Sequence, residues 1–309
     1  MNAKLAQVKE EIKKVLQGKD SAIDLVLTTL LAGGHILLED IPGVGKTTLA
    51  LALSKTLSMS YCRMQFTPDV LPSDILGFNM YESKTSEFAF HPGSIFTNLF
   101  LADEINRTSP KTQSALLEVM EEHRVTVDGV TRDLPSPFFV IATQNPVGAS
   151  GTQKLPDSQL DRFFVRLSLG YPDTESATRL LMGHSSEQMN TVQEVLTLEE
   201  LSAMQEKTAQ VYADEALCRY VVDLTEASRH SEFITQGISP RGSMALLKMA
   251  KGHAFLSDRN FVTPEDVLAV FDSVCNHRIL ISTRAKASGM TISEILTQIT
   301  RQIPMPKLS

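Results

Sequence analysis

The chain has 309 residues, 42% of them hydrophobic and 21% charged, a balance ordinary for a soluble globular protein with one large domain or two smaller ones. A net charge of −7 and a pI near 5.6 weigh against a phosphate-backbone binder as the main role, because such proteins carry a basic excess. The three cysteines, Cys62, Cys218 and Cys275, are far apart and odd in number, so no disulfide framework is implied and no zinc-type spacing appears.

Taken in chain order, the first 20 residues are charged and helix-like and lack the apolar core of a signal peptide. Residues 5–16 place apolar side chains at helical spacing, and residues 21–31 read as a second helix closed by Gly33-Gly34. Asp24, Gly33, Gly34 and His35 interrupt the apolar run over residues 22–38. That run therefore splits into a helix and a strand instead of crossing a membrane, and the chain reads as cytoplasmic. Residues 35–38 form a short apolar strand, residues 47–57 a helix, and residues 61–66 a further strand. SIFTNLFLADE (residues 94–104) ends an apolar run on two acids, PFFVIATQNP (residues 137–146) is β-rich, and DRFFVRLSLG gives one more strand. Strands alternating with helices, most of them without polar alternation, predict a buried parallel sheet covered on both faces.

After Gly170 strand runs disappear. Thr197 to Glu200 is a capping box, and Ser239-Pro240 and Thr263-Pro264 each offer an N-cap followed by a proline at the first helical position. The C-terminal third therefore reads as helices. The domain boundary is expected between Tyr171 and Gln193, which divides the chain into residues 1–185 and 186–309.

Between the first strand and the next helix lies DIPGVGKTT, nearly a phosphate-binding loop of the form G-x-x-x-x-G-K-[ST]. Its first place holds Asp40 in place of glycine, a turn former that carries some risk of repelling phosphate. Gly43 and Gly45 allow the backbone to approach oxygen, and the helix N-terminus faces the anion. Lys46 would reach the β and γ phosphates, Thr47 would put its hydroxyl on Mg²⁺, and Pro42, Val44 and Thr48 complete the nucleotide-binding stretch. A hydrolase also needs an acid at the end of a neighbouring strand for the metal and a base for water. NLFLADE supplies both, with Asp103 as the Mg²⁺ partner and Glu104 as the base. Asn145, at the end of the next strand, could position the water. Each feature alone is common: glycine turns, acids at strand ends and Asn-Pro pairs all occur without function. HRVTVDGVTRDL reads as a β-hairpin on the Asp128-Gly129 turn.

The order PGVGKTT, FLADEINRTSPKTQSALLEVMEE, IATQNP, LPDSQLDRF and SPRG resembles the MoxR family of AAA+ ATPases over about residues 18–270. In that family an acidic residue occurs at the Asp40 place beside the glycine form. The resemblance implies an α/β fold, a P-loop NTPase αβα parallel sheet (the AAA+ core) followed by an all-α helical lid. It implies ATP and Mg²⁺ as cofactors. It assigns Asn145 to sensor 1, Arg162 to the arginine finger that reaches a neighbour's γ-phosphate, and Arg241 to sensor 2, with Arg107 and Arg166 as alternative interface arginines. Residues 66–96 resemble the insert in the group's second helix, the hairpin would precede sensor 1, and residues 15–20 would lie on the adenine side. A homo-oligomeric, hexameric ring follows, acting on protein clients in a chaperone-like way, often with a partner carrying a von Willebrand factor A domain. Two rival readings stand beside it. One is a nucleotide-gated binding module with little turnover. The other is a DNA-translocating motor, against which the acidic pI, the hairpin without a lysine cluster and the lack of an appended DNA-binding module all count.

Overall fold

The computed structural model describes residues 2–145, 155–172, 174–181 and 188–306. Strands β1 (Ile36–Glu39), β2 (Tyr61–Gln65), β5 (Leu99–Asp103), β8 (Phe139–Gln144) and β9 (Val165–Leu167) form one sheet in the order β2-β5-β8-β1-β9. Every pair in it is parallel. Successive residues of these strands enter opposite cores. Ile36, Leu38, Leu99, Leu101 and Ile141 pack on one face, and Leu37, Phe100, Ala102, Val140 and Ala142 on the other. Burial on both faces explains why the strands show no polar alternation. Three of the strands, β1, β5 and β8, end on polar residues, at Glu39, Asp103 and Gln144.

Helices α1 (Ala3–Lys13), α2 (Asp20–Leu31), α3 (Lys46–Thr56) and α5 (Pro110–Glu122) surround this sheet. Ser109 starts α5 as a capped end, its hydroxyl accepting from the Thr112 N–H, with Pro110 at the first helical position. The insert over residues 66–96 folds as a short helix α4 (Pro72–Leu76) and an antiparallel hairpin of β3 (Gly77–Glu82) and β4 (Glu87–Pro92). The hairpin predicted before sensor 1 is β6 (Arg124–Val127) and β7 (Val130–Asp133). Asp128 and Gly129 both take positive φ, as a primed turn requires. The two hairpins meet where Asn79 donates to the Asp128 carboxylate at 2.7 Å and the Arg132 guanidinium lies 3.7 Å over the Phe90 ring.

Beyond the short α6 (Asp157–Leu160) and β9, the chain continues as α7 (Thr174–Leu181), α8 (Leu198–Ala209), α9 (Glu215–His230), α10 (Pro240–Leu256), α11 (Pro264–Cys275), α12 (Thr283–Ala287) and α13 (Ile292–Gln302). The expected boundary at 185/186 falls within residues 182–187, which lie outside the described residues. The caps foreseen at Thr197 and Ser239 form, accepting from the Glu200 and Gly242 N–H groups. A two-stranded antiparallel ribbon, β10 (Ile234–Gln236) with β11 (Leu280–Ile281), ties the helices together. Leu217, Leu246, Met249 and Val267 share one core with Ile36 and Leu38, so the lid helices pack on a single face of the sheet. No helix among the described residues is long and apolar enough to cross a membrane.

The lid is internally fixed by Asp266, whose side chain is only 1% exposed. It accepts from His253 at 2.6 Å, from Arg259 and from the Thr263 N–H at 2.8 Å. Burial opposes its ionisation, but the His253, Arg259 and Thr263 hydrogen bonds outweigh it and hold the carboxyl well below its usual range. A depressed carboxyl contributes stability above its ordinary pKa, and that stability is lost as pH falls toward the folded-state value. Replacing Asp266→Asn is expected to cost about 2–3 kcal/mol in urea unfolding at neutral pH. The same variant should also flatten the loss of stability between about pH 4 and 2; an acid limb as steep as that of the parent chain would contradict this assignment.

Candidate nucleotide site

The parallel register sets the site. Asp103 sits opposite Gln65, Ala102 opposite Ala142, and Glu39 opposite Gln144, so the C-terminal strand ends share one sheet edge, the usual place for a ligand in such a sheet. There the chain leaves β1, turns at residues 40–45 and enters α3. Gly45 takes φ 102° as the N-cap of α3, and a Cβ there would come within 2.8 Å of Leu16 Cδ1. Gly43 takes φ 85°. Both glycines are required by conformation, and the turn presents backbone N–H groups at a helix N-terminus.

A cavity of about 430 Å³ opens on this turn. All seven residues 42–48 line it, together with Asp103, Glu104 and Asn145. Val15, Leu16, Gln17 and Lys19 line the same cavity. Lys46 is 8% exposed and donates to the Asp40 carbonyl at 2.8 Å. Burial lowers its ammonium pKa, against the pull of the Asp103, Asp40 and Glu104 carboxylates. A buried cation inside a glycine cradle fits a phosphate, and Thr47 with Asp103 fits an oxygen-seeking cation such as Mg²⁺.

Asp103 is held by two residues that the sequence did not single out. The Thr143 hydroxyl donates to Asp103 at 2.6 Å and accepts from the Glu104 N–H at 2.9 Å. Arg63, on the edge strand β2, donates to the other Asp103 oxygen at 2.7 Å. Glu104 takes φ 58°, a left-handed conformation uncommon outside glycine. One of its oxygens accepts from Asn145 at 2.8 Å and the other from Arg107 at 2.8 Å. Chiefly the Arg107 hydrogen bond, then that of Asn145, lowers the Glu104 pKa against the effect of burial.

Asp40 does not face the loop. Its carboxylate is buried and accepts from the Ser168 hydroxyl and the Leu169 N–H, both at 2.6 Å, and from the Gly170 N–H at 3.1 Å. The feared repulsion of phosphate is met by turning the charge toward the chain after β9. Restoring the usual glycine, Asp40→Gly, is therefore expected to cost about 2–3 kcal/mol of stability. Equilibrium unfolding would reveal this, and an unchanged or higher stability would refute the clamp.

Arg162 and Arg241 lie away from this cavity and lie together. Arg162 donates to the Leu117 carbonyl at 2.8 Å and pairs with Glu121 at 2.7 Å. Arg241 pairs with the other oxygen of the same Glu121. Of the alternative arginines, Arg166 is bound to Glu39 and Asn276, while Arg107 stays beside Glu104.

The sequence profile of the ATPase family associated with various cellular activities (AAA) matches residues 35–165, and that of the AAA lid domain matches residues 226–299. The uncharacterized protein YeaC of Bacillus subtilis is 44% identical over 98% of this chain and 95% of its own. Chaperone MoxR1 of Mycobacterium tuberculosis is 35% identical over 97% of this chain and 81% of its own. A solved structure of a protein from Cytophaga hutchinsonii, assigned as an ATPase, superposes with a TM-score of 0.90 at 37% identity, covering 98% of this chain and 95% of that one. An α/β P-loop core, a helical lid and these relatives agree, and the chain belongs to the MoxR family of AAA+ ATPases.

Proposed function

We propose that this chain hydrolyses ATP with Mg²⁺ as one subunit of a homo-oligomeric, hexameric ring and uses the cycle to remodel protein clients. The observation that carries this reading is the division of the machinery. Lys46, Asp103, Glu104 and Asn145 meet in one cavity, whereas Arg162 and Arg241 meet on another surface of the same chain. A site with its base and its arginines on different faces is completed by a neighbour. The chaperone name of the Mycobacterium tuberculosis relative supports the client part. A partner with a von Willebrand factor A domain, a cytoplasmic location and a division near residue 185 belong to the same proposal.

In this mechanism the loop N–H groups and Lys46 bind the phosphates. Thr47 and Asp103 would hold Mg²⁺, which would supply charge neutralisation to the phosphates. Glu104 orients the attacking water and accepts its proton, and Asn145 fixes the carboxylate and the water beside the γ-phosphate. Arg162 and Arg241 of the adjacent subunit neutralise the charge that builds on the transferring group. A second reading, a binding module with little turnover, draws on one feature: both Glu104 oxygens are occupied by Asn145 and Arg107.

Turnover per subunit is expected to rise with protein concentration. Glu104→Gln and Arg162→Ala should each lower it by about 100-fold or more. Mixing the two variants should restore activity at roughly a quarter of the interfaces, where a sound base meets a sound arginine. A mixture as inactive as its parts would exclude shared sites, and full activity of Glu104→Gln alone would favour the binding module.

A further inference from the structure

Glu121 has no part in the mechanism above, yet it touches both arginines. It lies in the last turn of α5, and its oxygens are divided between Arg162, from the segment after α6, and Arg241, from the first turn of lid helix α10. Lys248 lines the same small pocket, and the N-terminus of α10 adds partial positive charge. Two guanidinium groups thus converge on one carboxylate, and an ammonium and a helix end line the same pocket. That is the electrostatic setting of a phosphoryl group, for which bidentate arginine pairs are the common ligands.

We propose that Glu121 is an internal stand-in for the neighbouring subunit's terminal phosphate. It occupies Arg162 and Arg241 in the separate chain and is displaced when a nucleotide-bearing neighbour docks. This rests on the reading that these arginines act across the subunit boundary. The side chains of Arg162, Glu121 and Arg241 remain 30%, 39% and 41% exposed, and exposed ion pairs are weak and easily exchanged. A terminal phosphoryl carries more charge and more acceptor oxygens than one carboxylate, so exchange favours the nucleotide. Glu121 therefore acts through the two arginines, by competition, and sets how readily a site between subunits completes itself.

The test is ATP turnover against protein concentration for the full chain, with Glu121→Gln, Glu122→Gln and Arg162→Ala in parallel and melting temperatures alongside. Glu122 pairs with Arg124 and serves as the control. Removing the Glu121 charge is expected to move half-maximal specific activity to about three- to tenfold lower protein concentration, with the plateau rate unchanged. Glu122→Gln should move neither. A carboxylate with only a structural role would lower the plateau or the melting temperature and would not shift the midpoint downward. Should the glutamine variant melt early, Glu121→Asp, too short to span both arginines, is expected to shift the midpoint in the same direction. An unmoved or higher midpoint, or a lowered plateau, with Arg162→Ala inactive would overturn the stand-in and leave the shared site standing. An active Arg162→Ala would remove the shared site, and the stand-in with it.

Discussion

The register of β5 between β2 and β8 is the constraint on which the site depends. Side chains alternate along a strand, so a slip of one residue would exchange the directions of Asp103 and its neighbours. The buried apolar runs prevent that slip, since Leu99, Leu101, Phe100 and Ala102 each have a core to fill. With the register fixed, Asp103 comes within reach of Thr143 on one side and Arg63 on the other. Lys46 can then remain buried, because the charges of Asp103, Asp40 and Glu104 oppose the lowering that burial imposes on its ammonium.

Glu104 shows how the same scaffold supports strain. Its left-handed backbone is held by the Thr143 bond to its N–H, and its side chain is held by Asn145 and Arg107. A residue of this kind persists only where its surroundings over-determine it, and such places cluster at functional sites. The strain turns the chain sharply after β5, into a 3-10 turn at Ile105–Arg107. That turn brings Arg107 back onto the carboxylate at i,i+3.

Much of this was legible in the sequence, for local reasons. Strands were readable from apolar runs that end in acids or amides, and the second hairpin from its Asp128-Gly129 pair. The loop was readable because Gly43, Gly45 and Lys46 act through their own backbone and neighbours. What stayed hidden depends on distant partners. Asp40 reads as a flawed loop glycine until Ser168, Leu169 and Gly170, 128 to 130 residues later, are seen to receive its carboxylate. The hairpin of the insert lacked a tight-turn signature, since its turn places Ser86 at φ 58° where Asn-Gly or Asp-Gly would have announced it. Glu121 reads as an ordinary helix surface acid, because one of its two partners is 120 residues away on another helix.

The arginine surface is also where core and lid are fastened together. Arg278, whose side chain is 1% exposed, donates to Asp161 at 2.7 Å and to the carbonyls of Phe163 and Phe164. The other Asp161 oxygen accepts from Ser239, the cap of α10, at 2.6 Å. Arg166 and Asn276 exchange bonds beside them. A buried guanidinium with this many acceptors is costly to unpair, since each lost partner leaves charge or a carbonyl unsatisfied. Arg162 follows Asp161 directly, and Arg241 lies two residues beyond Ser239. The two arginines are thus anchored on either side of one rigid joint. A lid displacement that keeps this joint intact must carry Arg162 with it, so the position of the lid and the position of Arg162 are coupled in this chain.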